Sequence, residues 1–374
     1  MTLIILLIPI VVAIFLFFFF KKNTTWWEYC LLIGPSIFLF LILKYSIISY
    51  EESDTEYLGN YITKVTYYQP WNEYIHRTCT RTCGSGKHTY TVSYDCSYVD
   101  EHPEQFAYTL NTGEEEMTTA EDFNNIKRNW HSKAIFRDLD RDYYTKDGDA
   151  FDTKWDGNKM TCKTRTFQEN YTNKVRASHS IFKFEDISKA KAKKLGLYDY
   201  PERETDYAQQ EQVLGLKKKD RAGVQMINYI NGIYGFKKQF RTYILMFYNK
   251  SITIAQKQRE YWEGGNKNEF IVCIGVDSIT NKIQWSYPFS WQDTPLLEAK
   301  TKQFLIPDSK FSLYKYSCWL DNNISRNWKR KNFDTFDYLN VDLSDKQYLF
   351  LLIMIAFYDI AISVYIIRNG YNFN

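Results

Sequence analysis

Two long apolar runs open this chain and decide its environment before any other feature is weighed. Thr2–Phe20 reads TLIILLIPIVVAIFLFFFF, with no charged residue over a length that as helix spans about 30 Å, the thickness of a bilayer core. A cleaved signal peptide would carry a basic start and small residues at a cleavage site. Here the run ends in Phe17–Phe20 followed by Lys21 and Lys22, which fits a retained membrane helix. After the short KKNTTWWE, Tyr29–Ile48 is a second apolar stretch, broken only by Lys44 near its far end, where the ammonium can snorkel. Trp26 and Trp27 stand where an interfacial aromatic belt belongs. Gln347–Ile367, QYLFLLIMIAFYDIAISVYII, is a third span. Two transmembrane helices are therefore expected within 1–50 and a third, with a short tail, within 347–374. The lipid bilayer is the first partner.

Lys21 and Lys22 in the hairpin and Arg368 after the third span fall on one face of the membrane. The positive-inside rule makes that face cytoplasmic. Residues 51–346 are then extracytoplasmic. Arg326, Lys329, Arg330 and Lys331 lie near the third span on the other side, but they belong to a long folded region, where the rule counts for little. The formal charge of +3 is spread along the chain, so nothing points to nucleic acid. With 45% hydrophobic and 18% aromatic residues the chain can bury a substantial core.

Between the spans two parts are expected. Residues 51–185 are β-rich: NYITKVTYYQPW, KHTYTVSYDCSYV and FAYTLNTGEEEMTT alternate apolar and polar residues between turn signals. Residues 186–346 alternate helix and strand. Asp186-Ile-Ser188 can cap the helix KAKAKKLGL, and DRAGVQMINYINGIYG has helical spacing closed by Gly235. QFRTYILMFY reads as a buried strand and SITIAQKQREYW as a helix ended by Gly264-Gly265. EFIVCIGVD is a second buried strand and KIQWSYPFSW an alternating third. A strand–helix–strand unit of this size implies a right-handed crossover and a partly parallel sheet. The fold class is α+β: a transmembrane hairpin, a β-rich region, a Rossmann-like βαβ region and a C-terminal transmembrane helix. Tyr200–Lys219 is polar and reads as a loop.

The stretch Cys79–Cys96, CTRTCGSGKHTYTVSYDC, carries apparent chemistry. A phosphate loop needs G-x-x-x-x-G-K-[ST] before a helix. Here Arg81 stands where the first glycine belongs, His88 follows Lys87, and TYTVSY reads as a strand, so that motif fails. Zinc wants four ligands in closely spaced pairs. Cys79 and Cys83 could be one pair, but Cys96 and Cys162 are scattered and no histidine pair completes a set, so no metal is expected. A hairpin with a Gly-Ser-Gly tip, stapled by a Cys79–Cys96 disulfide, fits better. All cysteines but Cys30 lie outside the spans, as oxidised extracytoplasmic thiols would. Cys83 and Cys162 are the remaining candidates for a second bridge, and Cys273, inside an apolar strand, reads as a buried free thiol.

Asp138, Asp140, Asp142 and Asp149 match positions 1, 3, 5 and 12 of a calcium loop, but Tyr143 replaces its turn glycine. Asp147-Gly148 reads instead as a hairpin turn. The histidines at 76, 88, 102, 131 and 179 show no metal-binding spacing, and no G-x-S-x-G elbow nominates a serine nucleophile. No cofactor is implied. Asn170, Asn249 and Asn323 begin glycosylation sequons. Asp359 is the best single candidate, because a carboxylate inside a span costs roughly 2.5–3.5 kcal/mol and usually faces a partner or water. Lys44 is one conceivable partner.

At REYWEGGNKNEFIVCIGVD, with the flanking strand RTYILMFY, the sequence resembles the TPM domain of membrane-anchored extracytoplasmic proteins. Trp262, Gly264, Gly265 and Asn268 stand in that family's places, and the resemblance spans residues 240–310. YPFSW stands where the family usually has Gly-Tyr-Gly. The resemblance implies a Rossmann-like fold and an accessory or phosphatase-like role, with Asp277 and Asp293 near an acidic site. WNEYIHRTC, DCSYVDEHPE and YYTKDGDAF resemble segments of uncharacterised membrane proteins of gut-bacterial phages and mobile elements. Three functions follow as expectations: a membrane-anchored extracytoplasmic protein that binds or scaffolds a protein partner, a TPM-like hydrolase, or a transport component using Asp359.

Overall fold

In the computed structural model of this chain, residues 1–20, 26–86, 88–139, 148–178, 184–185, 187–202 and 210–370 are described. The calcium-loop template and the Asp147-Gly148 turn fall largely outside them, as does part of the Tyr200–Lys219 stretch. The chain divides into two compact units: 1–55 with 170–184 and 332–374, and 56–169 with 185–331. Most of the β-rich stretch and of the α/β stretch therefore shares one unit.

The first unit is built on helices α1 (Thr2–Phe20) and α2 (Trp26–Glu52) and a C-terminal helix (Asp345–Gly370). Each is long and apolar enough to cross a membrane. They pack on one another along two apolar layers. Ile5, Phe40, Leu351 and Ile355 make one; Ala13, Leu16 and Leu32, with Ile362 and Ile367, make the other. Lys44 does not reach Asp359: its ammonium lies 3.8 Å from Asp342 and 3.3 Å from the Thr2 hydroxyl.

In the second unit, β1 (Ser53–Tyr68), β2 (Trp71–Ile75), β3 (Thr78–Ser85), β4 (His88–Asp95), β5 (Tyr98–His102), β6 (Gln105–Leu110) and β7 (Glu115–Thr118) form a succession of antiparallel strands, followed by helix α3 (Ala120–Lys127), β8 (Ile135–Arg137), β9 (Ala150–Lys154) and β10 (Thr164–Thr172). One sheet runs in the order β7-β6-β1-β9-β8, and β10 also pairs with β1. Phe123 and Ile126 of α3, with Trp130, close over Ile62, Val65, Tyr108 and Leu110 of this sheet. The helical turn α4 (Lys174–Ala177) belongs to the first unit.

Helix α5 (Lys189–Leu195) starts at Ser188, whose hydroxyl accepts from the Lys191 N–H, and stops at Gly196 in the left-handed conformation. A four-stranded sheet follows in the order β11 (Val213–Leu214), β12 (Arg241–Tyr248), β13 (Glu269–Val276), β14 (Ile283–Ser290). β11, β12 and β13 are parallel, and β14 returns antiparallel. Helix α6 (Arg221–Lys238) joins β11 to β12 and α7 (Thr253–Tyr261) joins β12 to β13. α6 packs with α8 (Pro295–Phe304) and α9 (Leu313–Asn327) on the sheet face carrying Ile244, Met246, Val272 and Ile274. α7 packs on the opposite face, with Tyr243, Leu245, Ile271 and Cys273. Both crossovers step the same way across the sheet with their helices on opposite faces. They are therefore of opposite hand, and only one obeys the right-handed rule.

The expected stop at Gly235 is not there, and α6 runs on to Lys238. That glycine serves close approach instead: a Cβ on it would sit 2.5 Å from the Gly59 nitrogen on β1.

Candidate functional site

β1 and β6 continue beyond their sheet as a two-stranded arm. β2 pairs with β5 and β3 with β4, and the partners Tyr68–Gln105, Trp71–His102, Ile75–Tyr98, Thr78–Asp95 and Ser85–His88 keep one register throughout. Among the described residues neither strand of the arm has a further neighbour, so both outer edges carry unpaired backbone groups. From Trp71 to Ser85 the arm extends about 45 Å at the rise of a β-strand. Pro70 and Pro103 fall opposite each other in this register, where neither can donate to the ladder. They separate the arm from the sheet. A second interruption, at His76-Arg77 and Cys96-Ser97, is held by Cys96 N–H donating to Arg77 O at 2.9 Å and Arg77 N–H donating to Ser97 Oγ at 3.1 Å.

The Cys79–Cys96 disulfide crosses this second interruption, with Cα atoms 5.7 Å apart. The stapled hairpin expected from the sequence is thus present, and its tip turns at Gly86 with positive φ. The second bridge is not formed. Cys83 and Cys162 are both free thiols, because Cys83 rides on β3 of the arm while Cys162 is buried, and burial pushes its thiol up to about 12. Cys273 is buried and free, as expected.

Opposed residues of an antiparallel pair share a face, and successive pairs alternate. One face of the outer arm is therefore Thr78, Thr80, Thr82, Thr91, Ser93 and Asp95. The other carries Ile75, Tyr98, Tyr94, Val92 and Tyr90 with Arg77, Arg81 and the cysteines. Tyr90 is 64% exposed, Tyr94 and Tyr98 48% each, and no residue of β3 or β4 is buried. Between Ile75 and Tyr98 this second face holds cations and no carboxylate. The nearby Asp95 points from the other face and is bound by Ser97, whose N–H donates to it at 2.8 Å and whose hydroxyl donates as well, holding the carboxyl below its usual range. An isolated hairpin with no buried side is marginal in water, so the disulfide and the β-forming threonines and tyrosines carry the arm's order. Exposed aromatic and aliphatic side chains gathered on one face are the kind of patch that marks an interaction surface.

The same register gathers a cluster at the arm's base that no sequence spacing revealed. Glu73 stands opposite Asp100, and His102 is two residues further along the same face. His102 Nε2 donates to Glu73 Oε2 at 3.0 Å and lies 3.9 Å from Asp100 Oδ2. The Trp71 ring stacks on the imidazole at 4.2 Å. Among the described residues these are the group that could hold a metal ion, their ligand atoms all within 4.8 Å of one another.

The acids expected near a TPM-like site lie apart. Asp277 follows the C-terminal end of β13 and Asp293 lies beyond the far end of antiparallel β14, so they are separated by about the length of a strand, some 25 Å. Asp277 lines an open depression of about 740 Å³ with Asn249, Lys250, Lys282, Trp285 and Asp308. Its carboxylate accepts from the Thr280 N–H (2.6 Å), the Thr280 hydroxyl (2.7 Å) and the Ile279 N–H (3.0 Å), which hold it below the usual range. It caps a turn. Asp359 is fully buried in the first unit.

At the opposite end of β12 and β13 sits a buried polar network the sequence did not announce. Arg241 donates through Nε to Tyr243 (2.7 Å) and through Nη2 to Gln210 (2.5 Å), while Tyr200 and Asn266 donate to Glu269. Burial raises the Glu269 carboxyl, and Tyr200, Asn266 and Arg241 offset only part of the rise. Arg241 and Glu269 are buried to within 1%, so this network holds strands rather than greeting a ligand. Comparison of the chain with family models, curated proteins and solved structures finds no match.

Proposed function

We propose that this protein is a membrane-anchored, extracytoplasmic binding protein that captures an acidic, extended segment of another protein with its β-arm. The observation that carries the reading is the two-faced outer arm: one face threonine and serine, the other, outward of the Glu73–Asp100 pair at the base, tyrosine and arginine without a carboxylate. An extended peptide can add to either open edge through backbone hydrogen bonds. Its carboxylates meet Arg77 and Arg81, and its apolar side chains cover Tyr90, Val92 and Tyr94. Arginine and tyrosine are also the residues that most often anchor protein interfaces. Single-stranded nucleic acid is the competing occupant such a face could take, and the test separates the two.

A photoactivatable benzophenone amino acid is placed in the full-length protein at Tyr90 on one face or at Thr91 on the other, and cells are irradiated. The reading predicts a discrete protein adduct from position 90, absent from position 91 and lost when Arg81→Glu is added. Equal adducts from both faces, none from either, or adducts removed by nuclease contradict it.

A TPM-like hydrolase remains a second reading, favoured by the depression at the C-terminal ends of the parallel strands, where open α/β sheets bind ligands. It expects metal-dependent turnover of a phosphate ester by the purified chain, and no turnover with any common divalent metal removes it.

A further inference from the structure

The three apolar helices enclose one carboxylate. Asp359 is fully buried, and neither of its oxygens has a hydrogen-bond partner. It sits between the two apolar layers of the bundle: its helix gives Leu351 and Ile355 to one and Ile362 to the other. Ser36 holds the same place on α2, between Leu32 and Phe40, and Pro9 the same place on α1, between Ile5 and Ala13. Both are buried. Ser36 is the polar side chain that faces the carboxylate, and the two groups stand close without forming a hydrogen bond of normal geometry. The backbone is opened at this level. Pro9 cannot donate to the Ile5 carbonyl, and Pro35 cannot donate to that of Leu31; the Leu31 carbonyl accepts instead from the Tyr358 hydroxyl at 3.4 Å.

No fixed cation among the described residues answers this charge. α1 has no ionisable side chain. On α2, Glu28 and Lys44 each lie about two turns from Ser36, and Lys44 is engaged by Asp342 and Thr2. On the C-terminal helix Tyr358 is turned to Leu31, and Arg368 lies more than two turns beyond Asp359. A bare carboxylate walled in by aliphatic side chains is too costly to persist. The group must carry its own counter-charge, and a divalent ion would leave a net positive charge in the same apolar layer.

We infer that Asp359 and Ser36 form an intramembrane binding site for a monovalent cation, a proton or a sodium ion. A proton sits on one carboxyl oxygen and is shared with Ser36 Oγ. Sodium takes the carboxylate, the serine oxygen and the carbonyl that Pro9 leaves free. Release of either leaves the bundle holding a buried charge, so occupancy and helix packing are coupled. The inference does not depend on the arm.

The test is labelling of the full-length protein in sodium-free liposomes with dicyclohexylcarbodiimide, an apolar reagent that modifies carboxyls only while they carry a proton, read by peptide mass spectrometry. The site predicts modification at Asp359 that rises as pH falls and is lost in Asp359→Asn. If sodium but not choline suppresses labelling at fixed pH, the resident ion is sodium, and Ser36→Ala should lose that protection while still being labelled. Labelling indifferent to sodium but dependent on pH identifies the proton. No modification of Asp359 at any pH overturns the site. So does labelling that is the same at acid and alkaline pH and unaffected by sodium, because the side chain is then simply neutral.

Discussion

At the scale of single residues, the second unit's six-stranded sheet is pinned by Asp152. Its carboxylate accepts from the Thr66 hydroxyl at 2.8 Å and the Arg137 Nε at 3.1 Å, with the Lys64 ammonium 3.5 Å away. Burial pushes this carboxyl up, but Thr66, Arg137 and Lys64 outweigh it and hold it below the usual carboxylate range. A depressed native pKa means that the stabilisation is present above the unfolded value of about 3.9 and is lost as pH falls through the native one. Asp152→Asn is therefore expected to cost about 1–3 kcal/mol near neutral pH. Thermal unfolding of the detergent-solubilised chain should show the gap to wild type closing below about pH 4. A gap independent of pH would show that the charge is not what holds the sheet. None of this was legible in the sequence, because Thr66, Arg137 and Asp152 meet only when β1, β8 and β9 adopt their registers.

At the scale of elements, α6 and the arm make opposite demands. α6 lies against β1 through glycines, so Gly235→Ala drives a methyl group into the backbone of Gly59. It should destabilise the chain by about 1–3 kcal/mol, measured as a fall in unfolding temperature; an unchanged temperature would show that α6 can move. The arm depends on its staple. Cys79→Ser removes a bridge that closes a separation of 17 residues, worth about 3 kcal/mol in chain entropy. Because the arm lacks a core, that loss should stay local: faster proteolysis within residues 77–96 with the main unfolding transition unmoved. A transition that shifts with the arm would mean that the two are one cooperative element. The three apolar helices, the buried strands of the four-stranded sheet and the Cys79–Cys96 staple were legible because each rests on a local pattern. The two faces of the arm, and the Glu73–Asp100–His102 cluster at its base, were not. They depend on a register that runs unbroken past two interruptions in the ladder, and QPW and DCS read locally as breaks.

At the scale of the whole molecule, the chain joins three helices fit to cross a membrane to a folded unit that carries an exposed arm. The proposed extracytoplasmic placement rests on the positive-inside reading of Lys21, Lys22 and Arg368. Of the basic residues near the third span on the other side, Arg330 donates to the buried Glu56 at 2.9 Å. Cys83 offers a native reporter for placement and docking together, since it is a free thiol on the tyrosine–arginine face, opposite Tyr90. The buried thiols of Cys162 and Cys273, both raised by burial, should stay silent. The measurement is labelling of intact cells with a membrane-impermeant maleimide, without reductant, in wild type and in Arg81→Glu. The account predicts that Cys83 is labelled from outside, and more strongly in Arg81→Glu as the acidic partner leaves the face. Labelling only after the cells are broken, or labelling identical in the two proteins, would contradict it.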